Sequence, residues 1–154
     1  MRAVILGVIF LLGLSACRHD IMVRQKWKWN DHQWINGDTK TITLNATDTL
    51  TVYAMDLDLN WEKDYGFENL YIRTKTVFPS GKIVTSITSL EMAEKDGSWA
   101  GRCGGHACKL QFPLQKKFTF PEIGQYSWSI EPYMRVDTVK GINSLQVTCR
   151  KIGK

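Results

Sequence analysis

Alternation of apolar and polar residues is the feature that most constrains the fold of this chain. In the stretch TVYAMDLDLNW, apolar residues occupy every second position from Tyr53 to Trp61, and Asp56, Asp58 and Asn60 stand between them. A period of two is typical of a β-strand, because successive side chains point to opposite faces of a sheet. The stretch therefore predicts a half-buried strand of an antiparallel sheet.

The same pattern recurs along the chain and is interrupted by turn residues. Two β-branched runs flank Pro79-Ser80-Gly81, which predicts a long hairpin. Further strands are predicted from Leu110 to Phe120, from Tyr126 to Ile130 and from about Leu145 to Ile152. Pro113 suits a strand edge or a bulge, because proline has no N–H to donate within a sheet.

At least six strands and no convincing helical stripe predict an all-β fold. The expected architecture is an antiparallel β-sandwich of jelly-roll or immunoglobulin-like topology. Alternation does not reveal the order of the strands, so both topologies fit. Little helix is expected beyond the N-terminal segment.

The first 16 residues have the composition of a signal peptide. Arg2 gives a short positive start, Ala3 to Leu14 form a 12-residue apolar stretch, and Ser15-Ala16 are small residues that signal peptidases accept. Twelve apolar residues are too few to span a bilayer, because a membrane-spanning helix needs about 20. We therefore expect residues 1–16 to be cleaved.

Leu14-Ser15-Ala16-Cys17 resembles the bacterial lipobox. The resemblance implies that Cys17 becomes the N-terminus and carries diacylglyceryl and N-acyl groups; no other cofactor is expected. Several acyl chains make attachment to a membrane effectively permanent. An ordinary signal peptide that ends near a cysteine is the alternative. The predicted organisation is a signal peptide at 1–16, a lipidated tether at 17–25 and a β-sandwich domain at 26–154.

The charge of the chain argues against nucleic acid as a partner. Without residues 1–16, 19 Lys and Arg residues stand against 15 Asp and Glu, a net charge of +4. The basic residues are scattered and form no block of like charge. Attraction to an anionic envelope surface is compatible with this mild positive charge.

Three cysteines remain besides Cys17, in a compartment where thiols can oxidise. In CGGHAC, two glycines permit a tight loop, so a disulfide between Cys103 and Cys108 is geometrically plausible. A zinc site that adds His106, and Cys149 as a further ligand, is the weaker alternative. Cys149 alternates with apolar neighbours and is interpreted as a small buried hydrophobe.

Aromatic and acidic residues suggest two further kinds of site. Trp27 and Trp29 could stack on sugar rings in a glycan or peptidoglycan binder, but their spacing favours the inward face of a first strand. Asp56 and Asp58 could serve glycoside hydrolysis or calcium binding. Neither has the accompanying residues, the three histidines are too dispersed for a triad, and no small-molecule substrate is evident.

From Trp61 onward the sequence resembles the gliding-motility lipoprotein GldH family. The motifs that carry the resemblance are DYGFENLYI (64–72), FPSGKIV (78–84), LEMAEKDGSWAG (90–101), FTFPEIGQYSWSIEPYMR (118–135) and GINSLQV (141–147). RCGGHAC departs from the family's glycine-rich acidic turn, so the cysteine pair is interpreted as a local addition.

The resemblance implies a non-enzymatic lipoprotein of the outer membrane, a component of the gliding apparatus or an accessory to it. It would act as an anchored protein-interaction module beside other gliding or envelope proteins. Arg18 after Cys17 is not the aspartate associated with inner-membrane retention, which favours the outer membrane. The periplasmic face is favoured, with surface exposure as the alternative, because the single acid Asp20 is a poor match to acidic surface-export signals. Arg135 lies within a family motif, where contact with a partner and pairing with a carboxylate are equally plausible.

Overall fold

The computed structural model describes residues 20–154, which form eleven β-strands. The strands are β1 (Ile21–Lys28), β2 (Gln33–Ile35), β3 (Lys40–Ala46), β4 (Val52–Glu62), β5 (Asn69–Val77), β6 (Ile83–Glu91), β7 (Arg102–Gly104), β8 (Ala107–Phe118), β9 (Gly124–Pro132), β10 (Thr138–Lys140) and β11 (Ile142–Gly153). The predicted all-β class is therefore confirmed. No helix within this range is long and apolar enough to cross a membrane. The predicted signal peptide and Cys17 lie outside the described residues.

Two antiparallel sheets pack as a sandwich around a single core. The first has the order β1-β11-β4-β8-β7 and the second the order β3-β9-β5-β6. A two-stranded ribbon, β10-β2, adds the fully buried Trp34 and Val139 to the same core. The structure gives the order of the strands, which the alternation of residues does not reveal. Strands β4 and β11, for example, lie side by side although they are far apart in sequence.

Strand β4 is the centre of the five-stranded sheet, and its alternating apolar residues build the core. Leu57, Leu59 and Trp61 are completely buried. Burial of each such side chain stabilises the fold by about 1.5–3 kcal/mol. On the other face, Asp56 is also buried, because Arg150 of the neighbouring strand β11 lies over it in an ion pair.

The predicted hairpin and the predicted position of Pro113 are both confirmed. Strands β5 and β6 pair along their whole length, and the turn between them has Gly81 at φ +83° with its N–H bonded to Phe78 O at 2.9 Å. Pro113 lies on β8 where register shifts interrupt its pairing with β4. Beyond Lys109, β8 has no strand on its other side within residues 20–154.

The domain begins earlier than the sequence indicated. Strand β1 starts at Ile21, whereas the sequence predicts a tether over residues 17–25 and a domain that begins at Lys26. The physical reason is pairing with β11, which includes Val23 opposite Cys149 and a hydrogen bond from Lys151 N to Asp20 O at 2.9 Å. Residues 21–25 therefore belong to the first sheet.

Candidate functional site

Strand β6 forms one edge of the four-stranded sheet and is exposed along most of its length. Every residue from Ile83 to Thr88 is exposed, including Ile83 at 56%, Val84 at 41% and Ile87 at 52%. Within residues 20–154, β6 pairs only with β5. The backbone N–H and C=O groups on its other side therefore face no partner strand.

The edge of β6 lacks the features that usually protect such a strand. Proteins commonly discourage pairing at an edge with lysine, proline or a bulge. The segment IVTSITSL, residues 83–90, contains no charged residue, proline or glycine, and its register with β5 is regular. The free edge of β8, by contrast, carries Pro113, Lys116 and Lys117 and has register shifts.

A groove of about 410 Å³ separates β6 from β8. Its residues come from both edges and from the core beneath: Val84, Ser86 and Thr88 on β6, Leu114 and Phe118 on β8, and Met55, Tyr126 and Trp128 below. The opposite side of the sandwich differs, because β1 contacts β3 there and the inward residues of β3 are buried.

The edge and the groove together can accept an extended polypeptide. A strand added to β6 would satisfy the free backbone groups by hydrogen bonding, and its alternate side chains would enter the groove. The apolar lining of Val84, Leu114 and Phe118 favours aliphatic or aromatic side chains at those positions.

The cysteine pair lies at the far end of the five-stranded sheet. Cys103 on β7 stands directly opposite Cys108 on β8, and the two form a disulfide across the hairpin. Both sulfur atoms are therefore engaged, and His106 in the turn has no thiolate beside it for the zinc alternative. No group of three metal-binding side chains occurs within residues 20–154.

Cys149 is completely buried in the core as a free cysteine, as expected from its spacing. Burial raises the pKa of its thiol to about 12. The thiol therefore remains protonated at neutral pH and contributes as an apolar group.

The two tryptophans considered for glycan stacking do not form an exposed pair. Trp27 and Trp29 are both partly buried and pack against the core. The ring of Trp29 lies 5.0 Å from that of Trp34, and its Nε1 donates a hydrogen bond to Asp38 Oδ2 at 3.2 Å. An exposed pair of rings, on which sugar rings could stack, is therefore not present at Trp27 and Trp29.

Arg135 is exposed in the loop between β9 and β10, and among residues 20–154 it forms no ion pair. Nearby, Arg73 pairs with Glu131 at 3.0 Å and lies 4.0 Å from the ring of Tyr133. Arg135 is thus a free surface cation away from the β6 groove lining.

The two carboxylates considered for catalysis, Asp56 and Asp58, contact side chains of the neighbouring strand β11. Asp56 pairs with Arg150, and Asp58 accepts a hydrogen bond from Gln146 Nε2 at 3.3 Å.

A separate polar cluster, which the sequence did not predict, joins His32 to Asn143 and to Glu62. His32 has φ +55°, which no spacing pattern indicated. These contacts hold the chain before β2 against β11.

The β6 edge was also missed, although the sequence contains a signal for it. The turn residues predict the hairpin, and the lack of charge over residues 83–90 is the signal that indicates an exposed, unprotected strand. Exposure of that run depends on strand order, because the same residues in a central strand would be buried.

The fold defines the chain as an antiparallel β-sandwich protein in which β6 is an exposed edge strand of the described residues. A family model described as GldH lipoprotein matches residues 22–147. The chain is 28% identical over 116 residues to a protein named gliding motility lipoprotein GldH homolog from Christiangramia forsetii, and the match covers 75% of this chain and 72% of that protein. The chain belongs to the GldH lipoprotein family.

Solved structures give weaker matches. The crystal structure of tripeptidyl peptidase 2 matches with a TM-score of 0.43 and 11% identity, over 83% of this chain and 10% of that one. Dimeric latent PorU from Porphyromonas gingivalis matches with a TM-score of 0.37 and 7% identity, over 86% of this chain and 13% of that one. The chain thus spans only a small part of either protein.

Proposed function

We propose that the chain is a non-enzymatic outer-membrane lipoprotein of the gliding apparatus that binds an extended segment of another envelope protein along β6. The observation that carries the proposal is the exposed, uncharged edge of β6 above an apolar groove. Membership in a family of gliding-motility lipoproteins supports the choice of partner.

Binding would proceed by strand addition. Hydrogen bonds from the β6 backbone supply affinity without regard to sequence, and the groove selects the side chains of the partner. Acyl groups on Cys17 would hold the domain at the membrane, so that anchored partners meet at a high effective concentration. A modest intrinsic affinity at β6 would then suffice.

The anchor is tested by changing Cys17→Ser. We expect this variant to leave the membrane fraction, because the acylated thiol is the proposed attachment. Immunoblotting of separated envelope fractions measures the change and shows whether the unaltered chain is in the outer membrane. Unchanged fractionation of the variant would contradict the anchor.

The binding site is tested with a matched pair of lysine substitutions on the four-stranded sheet. Ile87→Lys places a charge on the β6 edge, and Thr43→Lys places one at an exposed position of β3. Each change should alter stability by no more than about 0.5 kcal/mol, because both positions are exposed.

Affinity purification of the lipidated protein, followed by mass spectrometry, provides the comparison. We expect gliding-apparatus proteins to be recovered with the unaltered chain and with Thr43→Lys, and to be depleted with Ile87→Lys. Equal recovery with both variants would refute the role of β6.

A further inference from the structure

We infer that the outer face of the five-stranded sheet docks on the anionic headgroups of the membrane in which Cys17 is anchored. The inference rests on the proposed lipid anchor and adds a second contact with the same membrane. It concerns a face that neither the core nor the β6 groove uses.

The residues of this face follow from the pairing of the strands. Leu145, Val147 and Cys149 of β11 are fully buried, so the residues between them point outward. Residues directly opposite one another in antiparallel strands share a face. Five cross-strand rows therefore form the outer face: Ile21-Arg150-Ala54, Arg24-Thr148-Asp56-Pro113, Lys26-Gln146-Asp58-Gln111, Lys28-Ser144-Asn60-Lys109-Arg102 and Glu62-Ala107-Gly104.

The charge of this face is predominantly positive. Its basic residues are Arg24, Lys26, Lys28, Arg102, Lys109 and Arg150. Its acidic residues are Asp56, which is neutralised by Arg150, together with Asp58 and Glu62. The remaining side chains are hydroxyls, amides and the apolar groups of Ile21, Ala54, Ala107 and Pro113. A surface with this excess of basic residues is complementary in charge to a layer of lipid phosphates.

The position of the anchor places the start of β1, at one edge of this face, close to the membrane. Asp20 is held to the sheet by the hydrogen bond from Lys151 N, and only Arg18 and His19 separate it from Cys17. Three residue steps reach no more than about 11 Å when fully extended. Strand β1, which carries Arg24, Lys26 and Lys28, therefore starts within a short distance of the acyl groups.

Docking through this face would set the orientation of the domain. The four-stranded sheet, with β6 at its edge, would form the layer away from the bilayer. The groove would then remain accessible to a partner rather than being buried against lipid.

The test uses the mature chain from residue 17 with Cys17→Ser, so that no acyl group contributes. Its sedimentation is measured with vesicles of pure phosphatidylcholine and with vesicles that also contain phosphatidylglycerol. We compare Arg24→Gln/Lys26→Gln/Lys28→Gln with the control Lys75→Gln/Lys95→Gln/Lys140→Gln, whose lysines are exposed away from this face. The two triple variants have the same net charge.

We expect binding only to the vesicles that contain phosphatidylglycerol, and weaker binding at high salt. The β1 triple variant should bind on the order of 100-fold more weakly, from about a fivefold contribution by each of the three basic residues near an anionic surface. Absence of binding to anionic vesicles, or an equal loss in the control variant, would overturn the inference.

The outcome is separable from that of the proposed function. If the vesicles are not bound but the lipidated chain still fractionates with the membrane and recovers its partners, only the docking face is wrong. Loss of partner recovery with Ile87→Lys, measured in the lipidated chain, does not depend on the basic residues of β1.

Discussion

At the scale of single residues, the ion pair between Asp56 and Arg150 joins the two central strands of the first sheet. The side chain of Asp56 is 8% exposed and that of Arg150 is 30% exposed. A buried carboxylate that loses its partner is costly, because no water replaces the lost contact. Removal of Arg150 would leave the Asp56 carboxylate buried without a counter-ion. The cost of that uncompensated charge is larger than the net attraction of the intact pair.

We predict that Arg150→Met lowers the free energy of unfolding by about 3 kcal/mol, the lower end of the range for a broken buried pair, because Arg150 itself is partly exposed. The double variant Asp56→Asn/Arg150→Met should recover much of this loss, since the uncompensated charge is gone. Urea denaturation of the three proteins provides the measurement. Equal destabilisation in the single and double variants would show that the buried charge is not the cause.

The disulfide between Cys103 and Cys108 yields a second prediction. It closes a loop with a sequence separation of 5. Restriction of the unfolded chain by so short a loop stabilises the fold by about 2 kcal/mol. A reducing agent should lower the thermal midpoint of the unaltered protein but not that of Cys103→Ser. If a metal chelator lowers the midpoint instead, the zinc alternative gains support.

A third prediction concerns Asp48 at the turn before β4. Hydrogen bonds from the backbone and hydroxyl of Thr51, and from the N–H of Leu50, hold the pKa of this carboxyl below its ordinary value. Its contribution to stability is therefore present above the unfolded pKa, about 3.9, and is lost as the pH falls through the lower folded value.

Asp48→Asn should accordingly unfold at lower urea than the unaltered protein at neutral pH, and the two midpoints should converge in acid. Urea titrations across this pH range measure the difference. A gap that stays constant down to the lowest pH would mean that the ionised carboxylate is not responsible.

At the scale of elements, strands β4 and β6 have opposite environments. Strand β4 has a neighbour on both sides, whereas β6 has only β5. Amides open to solvent through local fluctuations exchange far faster than those that require global unfolding. Amides in the centre of β4 should thus exchange with solvent on the order of 1,000-fold more slowly than the β6 amides that point away from β5.

Hydrogen exchange followed by NMR measures these rates residue by residue. The β6 amides should show an alternating pattern, with every second amide protected by pairing with β5. Uniform protection along β6 would indicate that its free edge is covered, by another copy of the chain or by a different segment.

Alternation predicted most of the long strands, but neither the seven-residue strand β3 nor the short ones. The strand from Tyr53 to Trp61 and the hairpin around Gly81 have strong local signals, and both are present. Strands β2, β7 and β10 have three residues each, too few for a period to appear. Strand β1 was placed too late because its pairing with β11 is a long-range contact.

The candidate site was less predictable than the fold for the same reason. The groove requires β6 and β8 to lie across from each other, although they are joined by no hydrogen bond within the described residues. Sequence spacing identified the cysteine pair, because that hairpin is local. Strand order, not residue composition, determines that IVTSITSL is exposed.

At the scale of the whole molecule, three features occupy different parts of one sandwich. The first sheet presents a basic outer face, its β1 edge starts beside the proposed anchor, and the opposite side holds the groove between β6 and β8. This separation would allow membrane attachment and partner binding at the same time.

Photocrosslinking in intact cells tests the central claim most directly. A photoreactive phenylalanine analogue replaces Ile87 on β6 in the lipidated chain, and Thr43 on β3 in a control. We expect the probe at position 87 to form a covalent adduct with a gliding or envelope protein, and the probe at position 43 to form none. Adducts at position 43 alone, or none at position 87, would contradict binding along β6.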